Sequence, residues 1–191
     1  MTAIAWMLKE WAIAVDALLA GEMILLIRKG GIREKAPSFE IPSDRGLLFP
    51  TYEHQSAEAL RLPYGARLVS RPVPVVGDEV VIGGWAQITH QLPLSGSSVV
   101  ESLHPFHIWT DPWLTERLAW KPDRPAYGLL LRAYRFADPI ALPYQKQYGG
   151  CRSWIKVKPL KLFPQSVPVL PTATYEALTE EIQKSLALIK A

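Results

Sequence analysis

Residues 127–136, Tyr-Gly-Leu-Leu-Leu-Arg-Ala-Tyr-Arg-Phe, alternate as a β-strand does while staying apolar on both sides. Leu129, Leu131, Ala133 and Arg135 fall on one face, and Leu130, Arg132, Tyr134 and Phe136 on the other. Both faces read as mostly buried, which requires a sheet inside a packed domain. An arginine sits on each apolar face, and a buried guanidinium has to find carboxylates, carbonyls or a ligand anion.

The elements around this strand are read from period and punctuation. Ile4, Leu8, Trp11, Val15 and Leu18 step by three and four, which predicts an amphipathic N-terminal helix stopped by Gly21. Residues 23–27 are continuously apolar and predict a central strand with Arg28 and Lys29 at its exit. A loop over 30–46 leads to a short strand at 47–49, expected to pair with the first, and Thr51 is placed as the cap of a short helix. A long strand or bent hairpin is expected over 79–92 with a bulge at Gly83-Gly84, then short helices at 98–103 and 111–119. A further strand is expected at 151–157, and Tyr175, Leu178, Ile182, Leu186 and Ile189 stripe a C-terminal helix after the link 163–171.

Strands that do not alternate regularly with helices exclude a doubly wound fold. The expected class is α+β: a mixed, mainly antiparallel sheet, free to curl into a small barrel, with amphipathic N- and C-terminal helices. No repeat or long linker divides the chain, so residues 1–191 are expected to form a single domain. Lys9, Glu10 and Asp16 interrupt the apolar N-terminal run, so neither a signal peptide nor a membrane span is expected. One cysteine, Cys151, makes no internal bridge and agrees with a reducing, cytoplasmic setting.

The net charge of +3 is a small basic excess, but it is concentrated. No acidic residue lies between Asp138 and Glu176, while Lys146, Arg152, Lys156, Lys158 and Lys161 do. Lysines of this kind also blunt a sheet edge. Nucleotide hydrolysis, dinucleotide binding and magnesium-dependent cleavage find no motif: Gly-x-x-x-x-Gly-Lys, Gly-x-Gly-x-x-Gly and a carboxylate followed by Glu-x-Lys are all missing. His104 and His107 have a metal-compatible spacing without a matching second pair, so no metal and no cofactor are expected. Cys151 beside Arg152 could be an activated thiol, but no partner histidine follows from the spacing.

What remains is a set of cations at strand ends and turns, Arg28, Lys29, Arg117, Lys121, Arg124, Arg132, Arg135, Arg152 and Lys156, interleaved with aromatic residues. Such side chains neutralise phosphates and stack on unpaired bases. The first reading is therefore a non-catalytic nucleic-acid-binding or accessory domain with DNA or RNA as partner, contacted by Arg28, Lys29, Arg132, Arg135, Arg152 and Trp154. The alternative is a small-molecule enzyme or ligand binder using Glu53, His54 and Gln55 beside Arg28 and Lys29, with histidine as general base. A third reading is a partner-binding patch around Trp109 and Trp113.

Across nearly the whole chain, the runs from Leu26 to Gly31, Leu48 to Gln55, His107 to Thr110, Leu129 to Arg135 and Tyr148 to Trp154 resemble a bacterial family known as a domain of unknown function. Members joined to a restriction-endonuclease-like domain imply an accessory role in DNA restriction, although this chain has no room for that domain. Gly77-Asp78-Glu79-Val80 and the strands around Arg132 and Trp154 bear a fainter likeness to small RNA-binding barrels of the pseudouridine-synthase-and-archaeosine-transglycosylase type.

Overall fold

The computed structural model describes residues 3–29, 41–96, 98–161 and 165–188. The chain begins with β1 (Ala3–Trp11), α1 (Ala12–Ala20), β2 (Leu25–Lys29), β3 (Arg45–Thr51), the short α2 (Tyr64–Arg67) and β4 (Glu79–Leu94). It continues with α3 (Val99–Leu103), α4 (Asp111–Ala119), β5 (Ala126–Pro143), β6 (Trp154–Lys161), β7 (Ser166–Pro168) and α5 (Thr172–Ala187).

The seven strands form one sheet in the order β2-β5-β4-β3-β1-β6, with β7 also paired to β5. Only β1 and β3 run parallel; the remaining pairs are antiparallel. The class is α+β, as expected, but the sheet does not curl into a barrel. Among the described residues no pairing joins β6 to β2 or β7, so the path keeps two open ends. Helices α3, α4 and α5 occupy the space beside β2, where Leu103, Leu114, Tyr175, Ile182 and Leu186 pack with Ile24, Leu25 and Ile27.

The N-terminal segment differs from its periodicity. Residues 3–11 form a strand, and the helix starts only at Ala12. Met7 and Leu8 are adjacent and both almost fully buried, which a one-sided helix cannot arrange but a strand covered on both faces does. Leu8 and Leu48 pack under α1, while Met7, Leu47 and Phe49 join the cluster on the other face with Ile82, Trp85 and Ile155. Helix α1 buries six of its nine residues, more than an amphipathic surface helix would, and ends at Gly21 in the left-handed conformation with φ 74°. Two further expectations shift. β2 and β3 do not pair with each other, since β2 pairs with β5 and β3 lies between β1 and β4. Thr51 closes β3 instead of capping a helix. The expected loop at 30–46 lies outside the described residues up to 40, as do 162–164 of the C-terminal link and the chain after 188.

The longest pairing joins β4 to β5, and its register shifts between Ile82 and Gly84 and again between Ile88 and His90. The first shift coincides with the expected bulge. There Gly84 lies so close to β5 that an added Cβ would stand 2.1 Å from the Tyr134 carbonyl oxygen. Gly84→Ala is therefore expected to cost about 2 kcal/mol through forced separation of the two strands, measurable as a lower urea midpoint; an unchanged midpoint would show that the bulge relaxes freely. No helix among the described residues is long and apolar enough to cross a membrane.

Candidate functional site

The parallel strands β1 and β3 end side by side, with Glu10 opposite Pro50 and Trp11 opposite Thr51. Their carboxyl ends, Arg28 of β2, α4 and the 150–153 turn enclose a cleft of about 390 Å³. Lys9, Glu10, Trp11, Arg28, Glu53 and Arg117 are among the residues that line it. Thr51, His54, Trp109, Trp113 and the turn residues 150–153 complete the lining.

Two ion pairs, one buried and one partly buried, build its base. The Lys9 ammonium donates to Glu53 Oε2 at 2.7 Å and to the carbonyls of Tyr148 and Gly150, each at 3.0 Å. All three of its donors are thus occupied, and the lysine pins the 148–150 turn to the sheet. Burial alone would raise the Glu53 pKa, but the Lys9 ammonium and the Gly150 amide hold it below the usual carboxylate range. Beside this pair, Arg28 Nη2 lies 2.8 Å from Glu10 Oε2 and donates to the Lys9 carbonyl at 3.0 Å. Glu10 Oε1 in turn accepts the Trp11 amide at 2.8 Å.

The cations exceed the carboxylates. Four cationic side chains line the cleft, Lys9, Arg28, Arg117 and Arg152, against two carboxylates, Glu10 and Glu53. Arg117 makes no hydrogen bond or ion pair among the described residues; its guanidinium lies 5.7 Å from the Trp113 ring centre. Burial and then the nearby Arg28 charge depress its pKa. The Nε atoms of both Arg28 and Arg117 are shielded and unpartnered. Arg152 is exposed at the rim next to exposed Cys151.

Three tryptophans form the aromatic wall. Trp109 stacks on Trp113 with centroids 5.4 Å apart, and Trp11 lies tilted 5.9 Å from Trp113. Trp109 is buried, while Trp11 and Trp113 are half-buried and keep surface in the cleft. The expected aromatic patch is thus largely an interior wall.

The six residues expected to contact nucleic acid are not gathered on one surface. Arg28 and Lys29 are buried, at 8% and 5% exposure. Arg28 is paired with Glu10, and Lys29 donates to the Leu118 carbonyl. Arg132 donates to Thr172 Oγ1 at 2.7 Å and lies against Tyr175, beside a separate small cavity. Arg135 donates to the Leu19 carbonyl. Trp154 packs against the core cluster containing Leu8. Only Arg28 and Arg152 reach the cleft, and they meet there Glu53 and His54 of the alternative set. Gln55 is engaged elsewhere, accepting the Ile13 amide at 3.2 Å.

Lys9, Glu10 and Trp11 escape sequence reasoning because a helical period absorbs them. Trp113 and Arg117 stand four residues apart on α4, a spacing that puts both on one helix face and is legible in the sequence. Elsewhere, His104 pairs with Asp111 at 2.7 Å and His107 is buried. No group of three metal-binding side chains occurs among the described residues.

No curated protein matches the sequence. Among solved structures, a tyrosine-to-phenylalanine mutant of the ZmASCH protein from Zymomonas mobilis is similar at 13% identity and a TM-score of 0.43, covering 80% of this chain and 89% of that one. The family of the domain of unknown function (DUF1802) matches residues 7–181, and the chain belongs to it.

Proposed function

We propose that the protein is a non-catalytic nucleic-acid-binding domain that seats one unpaired nucleotide of a single strand in this cleft. The base lies against Trp113 and Trp11, and the phosphates meet Arg117 and Arg152. The observation that carries this reading is the Arg117 guanidinium on Trp113, unpaired among the described residues and inside a cleft of the size that holds one small ligand group. Lys9, Glu10, Arg28 and Glu53 are engaged with one another, which suits a rigid frame more than proton transfer.

Fluorescence titration with single-stranded and duplex oligonucleotides tests it. Single strands are expected to bind more tightly than duplex, whose bases are unavailable for stacking. With two phosphate contacts on a single strand, a fourfold rise in salt weakens binding roughly sevenfold. Trp113→Ala is expected to weaken it about tenfold, the loss of one stacked base. Binding that ignores salt and the Trp113 substitution would overturn the reading.

The alternative, a small-molecule enzyme or ligand binder around His54, draws support from the presence of Glu53 and His54 in the same cleft. His54 is exposed at the rim, so His54→Ala separates the two: it leaves oligonucleotide affinity within about twofold, the size of a lost rim contact, but abolishes turnover if histidine is a general base.

A further inference from the structure

The charge of the cleft says more about the ligand than that it is anionic. Arg28, Lys29 and Arg117 lie close enough for Arg117 to be influenced by both Arg28 and Glu10, and for Lys29 to be influenced by Arg117. The carboxylate paired within this group is that of Glu10, and it is committed to Arg28 and the Trp11 amide. The guanidinium Nε atoms of Arg28 and Arg117 are shielded from solvent with no acceptor. Around the whole lining, four cations face two carboxylates, a surplus of two positive charges. The two unpaired charges are those of the shielded Arg117 and the rim residue Arg152, and an internal phosphodiester, with one negative charge, offsets only half of this surplus. A phosphomonoester carries nearly two charges at neutral pH and three acceptor oxygens, enough to pair with two guanidinium groups.

We infer that the cleft recognises a terminal phosphomonoester attached to an unstacked nucleoside, so that the preferred ligand is the phosphorylated end of a strand and not its interior. This rests on the nucleotide-binding reading above. The phosphate sits on Arg117, flanked by Arg28 and Arg152, and its nucleoside lies on the wall formed by Trp11 and Trp113. A free nucleoside monophosphate presents the same chemistry, so the ligand's source is decided by comparison.

The test is a set of titrations on the whole chain with one short single-stranded sequence bearing a 5′-phosphate, a 3′-phosphate, hydroxyl ends, or a terminal phosphate capped as its methyl ester. The matching nucleoside monophosphate is titrated in parallel. One phosphorylated end is expected to bind at least tenfold more tightly than the hydroxyl-ended strand, and the methyl ester is expected to lose most of that gain. Arg117→Gln is expected to reduce the preference to about twofold, because one of the two guanidinium groups is gone. A strand preferred over the monophosphate identifies a nucleic-acid end, and the reverse order identifies a free nucleotide; either order supports the phosphomonoester site. Equal affinity for phosphorylated and hydroxyl-ended strands would overturn this inference while leaving the nucleic-acid reading intact. Binding of the monophosphate alone, with no strand bound, overturns the nucleic-acid reading but keeps the phosphate site. If nothing binds, both fall.

Discussion

Glu10→Ala is expected to lower the folding stability by about 3–5 kcal/mol, the usual consequence of removing one partner from a buried ion pair. Glu10 and Arg28 are each about nine-tenths buried, and their side chains meet at 2.8 Å. Without the carboxylate, the guanidinium of Arg28 stays in the interior beside Arg117 and Lys29 with no counter-charge. The desolvation penalty then stands alone. Replacing both partners, as in Glu10→Leu with Arg28→Met, is expected to regain most of the loss because the uncompensated charge disappears. Urea unfolding followed by tryptophan fluorescence measures both variants. A loss under about 1 kcal/mol for Glu10→Ala, the value of an exposed pair, would show that water reaches the cleft floor freely. The same variants are expected to separate stability from binding, since the double variant folds but lacks the Arg28 flank of the anion site.

Acidification is expected to remove about 3 kcal/mol of stability through His107 alone. The side chain is 1% exposed, and neither ring nitrogen has a hydrogen-bond partner among the described residues. Burial, followed by the nearby Arg61 charge, lowers its pKa from 6.5 to about 4; Asp111 and the Trp109 backbone oppose the shift, and His104 adds to it. In the folded protein the imidazole therefore stays neutral down to about pH 4, whereas in the unfolded chain it takes up its proton near pH 6.5. Between these values the unfolded state binds more protons, so stability is complete above about pH 6.5 and falls as the pH drops toward 4. Substituting His107→Leu is expected to remove this slope. The readout is the difference between wild type and variant, since Glu53, whose pKa is held low by Lys9, adds an acid sensitivity common to both. Parallel pH profiles for the two proteins would show that His107 is protonated in the fold.

Much of the architecture is legible locally. β5, the bulge near Gly84, the proline-led α4 and the terminal helix α5 all follow from alternation, glycine placement and helical stripes. The failure at β1 has a specific cause. Ile4, Leu8 and Trp11 satisfy a helical period by accident, while the decisive fact is that Met7 and Leu8 are buried on opposite faces. That burial depends on β3 and β6 arriving on either side, which no local window contains.

The candidate site was less legible for a related reason. A list of cations says nothing about which are already paired. Arg28, Arg132 and Arg135 look equivalent as sequence, yet one is tied to a carboxylate, one to a threonine and one to a main-chain carbonyl. Arg117 has no such partner among the described residues, and its significance comes from standing next to Trp113 and facing a strand end more than a hundred residues earlier in the chain.

By itself the sequence determined the class of the fold and the side chains available, because period, turn residues and composition act over a few residues at a time. The tertiary structure alone decided that the sheet stays open, that β1 is a strand, and that two surplus charges and three indoles converge on one cleft. Pairing energies and desolvation depend on which distant groups share a volume, and only the folded chain sets that volume.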